Sequence, residues 1–331
     1  MDLQQKTRRF GACILLCALL LRLASAGILR QAAQWLSRPH IASFLIYLET
    51  GRDVRFSLSE EQEPAQREQV VHVRESPPPA GKEKPLPVIS SEDAALVAVT
   101  NSSLRDPDLE QLLKRPLDWD LTGEEPRVLI LHTHTTESYT SQGEPYTETS
   151  RYRTLDEKYN MLSIGDAVAQ ALMEQGIGVI HDRTMHDYPS YNGAYVHARN
   201  SVKEILEEYP GICLVLDLHR DASGSNSSQL RTEAKIGSRT AGQLMLVMGT
   251  GHSGWEENLS LGLKLHALLE RNCTGLMRPI SLRSQRFNQD LCGGMLLVEV
   301  GAAGNTHAEA ILAAKMLGQT LAEMAKGIKT E

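Results

Sequence analysis

From about residue 121 onward the chain alternates between two hydrophobic rhythms. Short apolar runs have the length and the Val, Ile and Leu content of buried strands: RVLILHTH (127–134), IGVIHD (177–182), GICLVLDLHRD (211–221), QLMLVMGTG (243–251) and GGMLLVEVG (293–301). Between them lie longer stretches with apolar residues at helical spacing: EKYNMLSIGDAVAQALMEQG (157–176), GAYVHARNSVKEILEEYPG (193–211), WEENLSLGLKLHALLERN (255–272) and THAEAILAAKMLGQTLAEMAKGI (306–328). RTEAKIG (231–237) and GLMRPISLR (275–283) add extended segments. Strands alternating with helices predict an α/β domain with a mostly parallel or mixed central sheet and helices on both faces.

The pattern is different before residue 121. Lys6, Arg8 and Arg9 precede the apolar run Phe10 to Leu21, which Arg22 interrupts and the small residues Ala24, Ser25 and Ala26 follow. A basic start, a short apolar centre and a small-residue end describe a secretory signal. An uncleaved membrane anchor is the other reading, and both put the bulk of the chain outside the cytoplasm. Residues 27–56, with IASFLIYL at 41–48, have enough apolar side chains for a small helix. Between 57 and 92 the composition turns to Glu, Gln and Pro, as in SLSEEQEPAQREQ and ESPPPAGKEKPLP. Such a stretch cannot bury enough apolar surface to offset its ordering entropy and reads as a tether. The expected organisation is a signal or anchor over 1–26, an extracytoplasmic stalk over 27–120 and a catalytic domain over 121–331.

Composition adds limits. A hydrophobic fraction of 41% and a charged fraction of 23% are those of a globular protein. The formal net charge of −7 argues against a chain that coats nucleic acid or anionic lipid, which favours basic surfaces. Cysteines at 13, 17, 213, 273 and 292 have no CxxC spacing and imply no disulfide framework. Cys213 reads as a small core residue.

The candidate chemistry sits where apolar runs end. VLILHTHTTE, CLVLDLHRD and MLLVEVG each finish in ionisable groups, and ligands of open α/β sheets bind beyond the carboxyl ends of the strands. His134, Glu137, His219 and Glu299 are therefore expected to converge. Two histidines and a carboxylate are the ligand set of a catalytic zinc ion, whose fourth position takes water. His134 and Glu137 have the HxxE spacing, and His219 closes the set. Glu299 is placed to act as general base, and Arg220 to stabilise an oxyanion or hold a substrate carboxylate. Each element also has a structural reading: His219 held by Asp217 or Asp221, and Glu299 paired with Arg220. His132 is an alternative ligand, although only one of His132 and His134 is expected to point at the metal unless a turn intervenes. Glu157, opening a helix, is a rival carboxylate. His186, Tyr191 and Tyr195 in HDYPSYNGAY are candidates to line the cleft and touch substrate, and His252 in GTGHSGW to border it. His266 reads as helix packing. Neither a phosphate loop nor a GxSxG elbow occurs.

HTHTTESY (132–139), NMLSIGDAVAQALMEQGIGVIHD (160–182), HDYPSYNGAY (186–195), DLHRDAS (217–223) and LLVEVGAAGNT (296–306) together resemble the stage II sporulation protein P family. That family is similar in fold and mechanism to zinc-dependent N-acetylmuramoyl-L-alanine amidases. The resemblance implies a peptidoglycan hydrolase that removes stem peptides from glycan strands during engulfment, with a second activity on peptide cross-links. It implies stage II sporulation proteins D and M as partners and Zn2+ as cofactor. Metal histidines map onto the HTH block and His219, and an essential late glutamate onto Glu299. For the third ligand the amidases favour Glu157, whereas the local HxxE geometry favours Glu137, which is preferred. A zinc carboxypeptidase-like peptide hydrolase and a non-catalytic wall-binding scaffold are the competing functions.

Overall fold

The computed structural model describes residues 69–72 and 86–330, except 118, 124 and 223–228. The expected signal or anchor, the 27–56 helix and most of the tether lie outside the described residues. Among the described residues, no helix is long and apolar enough to cross a membrane.

The strands are β1 (Gln69–His72), β2 (Val88–Ile89), β3 (Val99–Asn101), β4 (Pro126–Leu131), β5 (Gly178–Asp182), β6 (Leu214–Asp221), β7 (Ala234–Ile236), β8 (Arg239–Ala241), β9 (Leu244–Gly249), β10 (Ile280–Arg283), β11 (Met295–Ala302) and β12 (Lys329–Thr330). The helices are α1 (Ser91–Ala94), α2 (Leu109–Lys114), α3 (Met161–Met173), α4 (Ala194–Glu208), α5 (Trp255–Asn272) and α6 (His307–Glu323). The central sheet runs β1-β5-β4-β6-β11-β9-β10-β3. It is antiparallel where β1 meets β5 and where β11 meets β9, and parallel at its other pairings. This is the expected α/β architecture with a mixed sheet.

Strand alternation sorts the two faces. Val128, Ile130, Leu214, Leu216, Leu218, Leu296, Val298 and Val300 share one buried cluster with residues of α3, α5 and α6. Leu129, Leu131, Val215 and Met295 share another with Ala198, Val202 and Ile205 of α4. Because side chains repeat every two residues along a strand, Asp217 and His219 follow Val215 onto the α4 face, and Glu299 follows Met295. His132 follows Ile130 toward α3.

Helix ends follow local chemistry. Asn160 caps α3 by accepting the Leu162 N–H at 2.9 Å, so the helix starts at 161 and leaves 157–159 in a turn. Thr306 and Glu309 form a capping box at the start of α6.

The domain boundary expected at 121 moves toward the N-terminus. β3 is the edge strand beyond β10, β2 pairs with β12, and Leu112 and Leu113 of α2 are buried in the main core. The tether span itself supplies β1, which adds to β5. These pieces are short and depend on distant partners, so no local period announces them. Cys213, Cys273 and Cys292 are free thiols.

Candidate active site

Three strands bring the candidate residues near one another. β4 ends at Leu131 and the chain enters a turn in which Thr135 Oγ1 donates to His132 O at 2.8 Å and the Glu137 N–H to His134 O at 3.1 Å. That turn brings His134 and Glu137 together and swings His134 away from His132. On the neighbouring strands His219 and Glu299 are register partners. β11 then bulges, with Gly301 at φ +70°, a value that favours glycine.

The His134 and His219 rings lie 5.2 Å apart edge to face. His219 Nδ1 is 3.6 Å from Glu137 Oε2, and His219 Nε2 is 3.0 Å from Asp217 Oδ1. The latter contact is at ion-pair distance, but Nε2 is not aligned for a straight hydrogen bond. His134 stacks on Tyr191 with centroids 4.6 Å apart and meets Tyr195 edge-on at 5.6 Å. The Tyr191 hydroxyl is 3.3 Å from His134 Nε2, while His134 Nδ1 is buried without a partner. Tyr191 is 52% exposed, so it forms the outer wall of this cluster.

Glu137 is gripped by two arginines. Arg153 Nη2 approaches Oε1 at 3.3 Å and Arg220 Nη1 at 3.4 Å, and the Arg220 backbone N–H donates to Oε2 at 3.3 Å. Burial alone would raise the Glu137 carboxyl; Arg220 and His219 override it and hold the group well below the usual carboxylate range. Burial likewise disfavours a charged His219, yet Asp217 and Glu137 raise it well above an ordinary imidazole. Burial lowers His134 to about 4 against the pull of Glu137. Glu299 keeps some surface, but its Oε2 is buried with no partner. Desolvation, reinforced by Glu137 and Asp221 against His219 and Arg220, raises its carboxyl to about 7.

Four carboxylates thus meet two guanidiniums: Glu137, Asp187, Asp217 and Glu299 against Arg153 and Arg220. Asp221 is matched separately by Arg278 at 2.6 Å. Two negative charges are left for protons or a cation to offset. Among the described residues, no group of three or more His, Cys, Asp or Glu is placed to hold a metal ion as it stands.

Several candidate residues stand elsewhere. His132 is fully buried on the α3 face, with Nδ1 3.1 Å from Leu218 O and Nε2 2.9 Å from His181 Nε2. Glu157 is a surface residue paired with Arg183 at 2.8 Å. His186 is buried with Nε2 3.2 Å from Asp182 and does not line the cleft. Arg220 is not free for an oxyanion or a substrate carboxylate: Nε donates to Ser138 O at 3.0 Å and Nη2 to Tyr152 O at 3.1 Å. His252 follows β9, which runs antiparallel to β11, so it leaves the sheet at the opposite end. His266 is buried in α5.

Arg153 belongs to the cluster without having been singled out, together with Asp217, expected as a holder of His219, and Asp187 of the HDYPSYNGAY segment. Arg153 Nη1 donates to Asp187 at 2.5 Å and to Thr136 Oγ1 at 3.0 Å, and its guanidinium lies 4.8 Å from the Tyr191 centroid. Asp187 also takes the Thr136 N–H at 3.1 Å. Asp217 had a signal, its place two residues before His219 on the same strand face. Asp187 lies in HDYPSYNGAY, the segment expected to line the cleft, and Arg153 lies in a loop with no signal.

Residues 46–322 match the family described as Stage II sporulation protein P (SpoIIP). Stage II sporulation protein P of Bacillus subtilis (strain 168) is 30% identical over 218 residues, covering 61% of this chain and 52% of the relative. The chain therefore spans about half the length of that relative. Among solved structures, N-acetylmuramoyl-L-alanine amidase AmiC2 of Nostoc punctiforme overlaps 62% of this chain and 96% of its own at 13% identity and a TM-score of 0.36. The apo form of the N-acetylmuramyl-L-alanine amidase Ami1 of Mycobacterium abscessus overlaps 60% and 96% at 13% identity and a TM-score of 0.35. Superpositions this loose carry no functional argument. The family match spans well over half of the chain, HTHTTESY, DLHRD and LLVEVG included, and on it the chain belongs to the stage II sporulation protein P family.

Proposed function

We propose that this protein is a metal-dependent peptidoglycan hydrolase of sporulation that cleaves the amide between N-acetylmuramic acid and the L-alanine of the stem peptide. The observation that carries the reading is the convergence of His134, Glu137 and His219 beside Glu299, an unpartnered carboxyl. The donor set fits a divalent cation in three respects. The 3.6 Å between His219 Nδ1 and Glu137 Oε2 is too long for a good hydrogen bond. It is close to the edge of about 3.3 Å that bonds of about 2.0–2.1 Å give in a tetrahedral zinc site. His134 Nδ1 is buried without a partner, and the cluster's four carboxylates outnumber its two guanidiniums by two, an excess that protons on His219 and Glu299 offset without metal and that a divalent ion would offset when bound. In the described state His219 and Glu137 face each other as an ion pair, which explains why the three donors form no ready cage.

His134, Glu137 and His219 would hold the zinc. Bound there, zinc would supply a Lewis acid for the carbonyl and would lower the pKa of a water molecule towards about 7. Glu299 takes the proton from the attacking water and delivers it to the departing L-alanine nitrogen, a task suited to a carboxyl that titrates near neutrality. Tyr191 and Tyr195 flank His134 and offer aromatic surface to the substrate. Arg220 acts through Glu137, whose orientation it fixes. That engagement disfavours a carboxypeptidase-like activity, which needs an available cation for the substrate's free carboxylate; buried Arg220 has none to spare. In a sporulation setting, the partners to test are stage II sporulation proteins D and M, and the expected location is extracytoplasmic, membrane-anchored or secreted.

The test is digestion of purified peptidoglycan with the wild type and Glu299→Gln, followed by assay of newly freed amino termini. Fresh L-alanine termini from the wild type alone support the amidase. Release of cross-link amines only would replace it with an endopeptidase, and no cleavage by metal-loaded wild type would favour a wall-binding scaffold.

A further inference from the structure

Asp217 is fully buried on the α4 face of β6, and it touches both segments that carry histidines. Its Oδ1 accepts the Thr133 backbone N–H at 2.8 Å and its Oδ2 accepts the Thr133 hydroxyl at 2.7 Å. Oδ1 also lies 3.0 Å from His219 Nε2. Thr133 immediately precedes His134, so one carboxylate ties the start of the His134 turn to the His219 ring across a gap of 84 residues in sequence. The ring nitrogen it reaches is the one farther from Glu137, whose Oε2 faces Nδ1 instead.

The charge environment separates Asp217 from its neighbours. Glu137 is already opposed by Arg153 and Arg220, Asp187 by Arg153, and Asp221 by Arg278. The ion pair seen at Asp217 is with His219. A buried carboxylate is costly unless its charge is matched and its lone pairs are filled. Thr133 fills two of them, and the match is left to the imidazole and whatever the imidazole holds.

Resting on the metal-site reading above, we infer that Asp217 is a positioning residue of this site. It holds the His219 proton on Nε2, presents Nδ1 toward Glu137 as the ligand atom, and supplies one of the two negative charges that the cation offsets. A small rotation of the His219 ring aligns the Nε2 proton with Oδ1. A carboxylate behind a ligating imidazole raises its basicity and fixes its tautomer, and loss of such a partner costs about 10–100-fold in metal affinity. Asp217→Asn keeps the shape and, with its oxygen in the Oδ1 place, still accepts the Thr133 N–H and faces His219, but removes the charge.

The experiment measures zinc affinity by chelator competition for the wild type, Asp217→Asn and Thr133→Val, alongside circular dichroism and melting of each metal-free protein. The expected result is a 10–100-fold loss for Asp217→Asn with its metal-free spectrum unchanged, and a much smaller loss for Thr133→Val, which keeps the charge. Wild-type affinity in Asp217→Asn would overturn the role of Asp217 while leaving the metal site standing. A wild type that takes up no zinc, cobalt or manganese would overturn both. Should Asp217→Asn fail to fold, nitrogen NMR of the zinc-loaded wild type decides: a proton on His219 Nε2 agrees with the inference, and a proton on Nδ1 contradicts it.

Discussion

Two pairs of buried histidines lie on opposite faces of the same sheet, and only one of them has the features of a reaction centre. On the α3 face, His132 has both nitrogens engaged, by Leu218 O and by His181, which in turn contacts Asp166 at 2.9 Å. Gly165 of α3 packs so closely that an added Cβ would sit 2.4 Å from His181 Nε2 and 2.7 Å from His132 Nε2. Desolvation, aided by His181, lowers His132 to about 3, which keeps it neutral. On the α4 face, His134 has an empty buried Nδ1, His219 lies between two carboxylates, and negative charge is in excess. The difference teaches that two histidines in HTH do not have equal claims. Strand parity alone would put them on one face; the turn after Leu131 sends them apart, and on the proposed reading unfilled lone pairs with unmatched charge mark His134 as the functional one.

The comparison can be broken or sharpened by substitution. The largest effect is expected at Glu299: Glu299→Gln should lower kcat/KM on peptidoglycan by about 10²–10⁴-fold, the range for loss of a general base. Bound metal, measured by atomic absorption, should remain at the wild-type level. The packed face should respond in stability instead. Gly165→Ala inserts a methyl group against His132 and His181 and should cost about 1–3 kcal/mol by overpacking, read as a lower melting temperature. Its kcat/KM per folded molecule should stay near wild type.

A further effect is a pH signature of the metal-free protein. The Glu299 carboxyl stands at about 7 when folded against an ordinary value of 4.5. A raised folded value means its contribution to stability is complete below about 4.5 and is lost as pH rises through about 7. Wild type should therefore lose stability relative to Glu299→Gln between those pH values, in paired denaturant titrations without metal. A parallel pair of curves would show that the carboxyl is not displaced.

Much of this division was legible in the sequence. The strands ending in His, Arg and Glu, the helices between them and the convergence of His134, Glu137, His219 and Glu299 follow from period and strand-end position. Tyr191 and Tyr195 also reach the site. Arg220 was misjudged because its partners are backbone carbonyls of Ser138 and Tyr152, brought to it by loops. Arg153 carries no local pattern and meets Asp187 of HDYPSYNGAY across 34 residues. β3 has only three residues and gains its place from β10, far along the chain, so the domain start was set too late. His186 was misplaced for a similar reason, since Asp182 at the end of β5 holds it in the interior.

The most direct test of the central claim is calorimetric titration of zinc into the metal-free wild type, His134→Gln and His132→Gln, each verified as folded by circular dichroism. A single tight equivalent in the wild type and His132→Gln, with binding at least about 100-fold weaker in His134→Gln, is the predicted result. Equal binding by both variants, or none by the wild type, would contradict a metal centre on the α4 face.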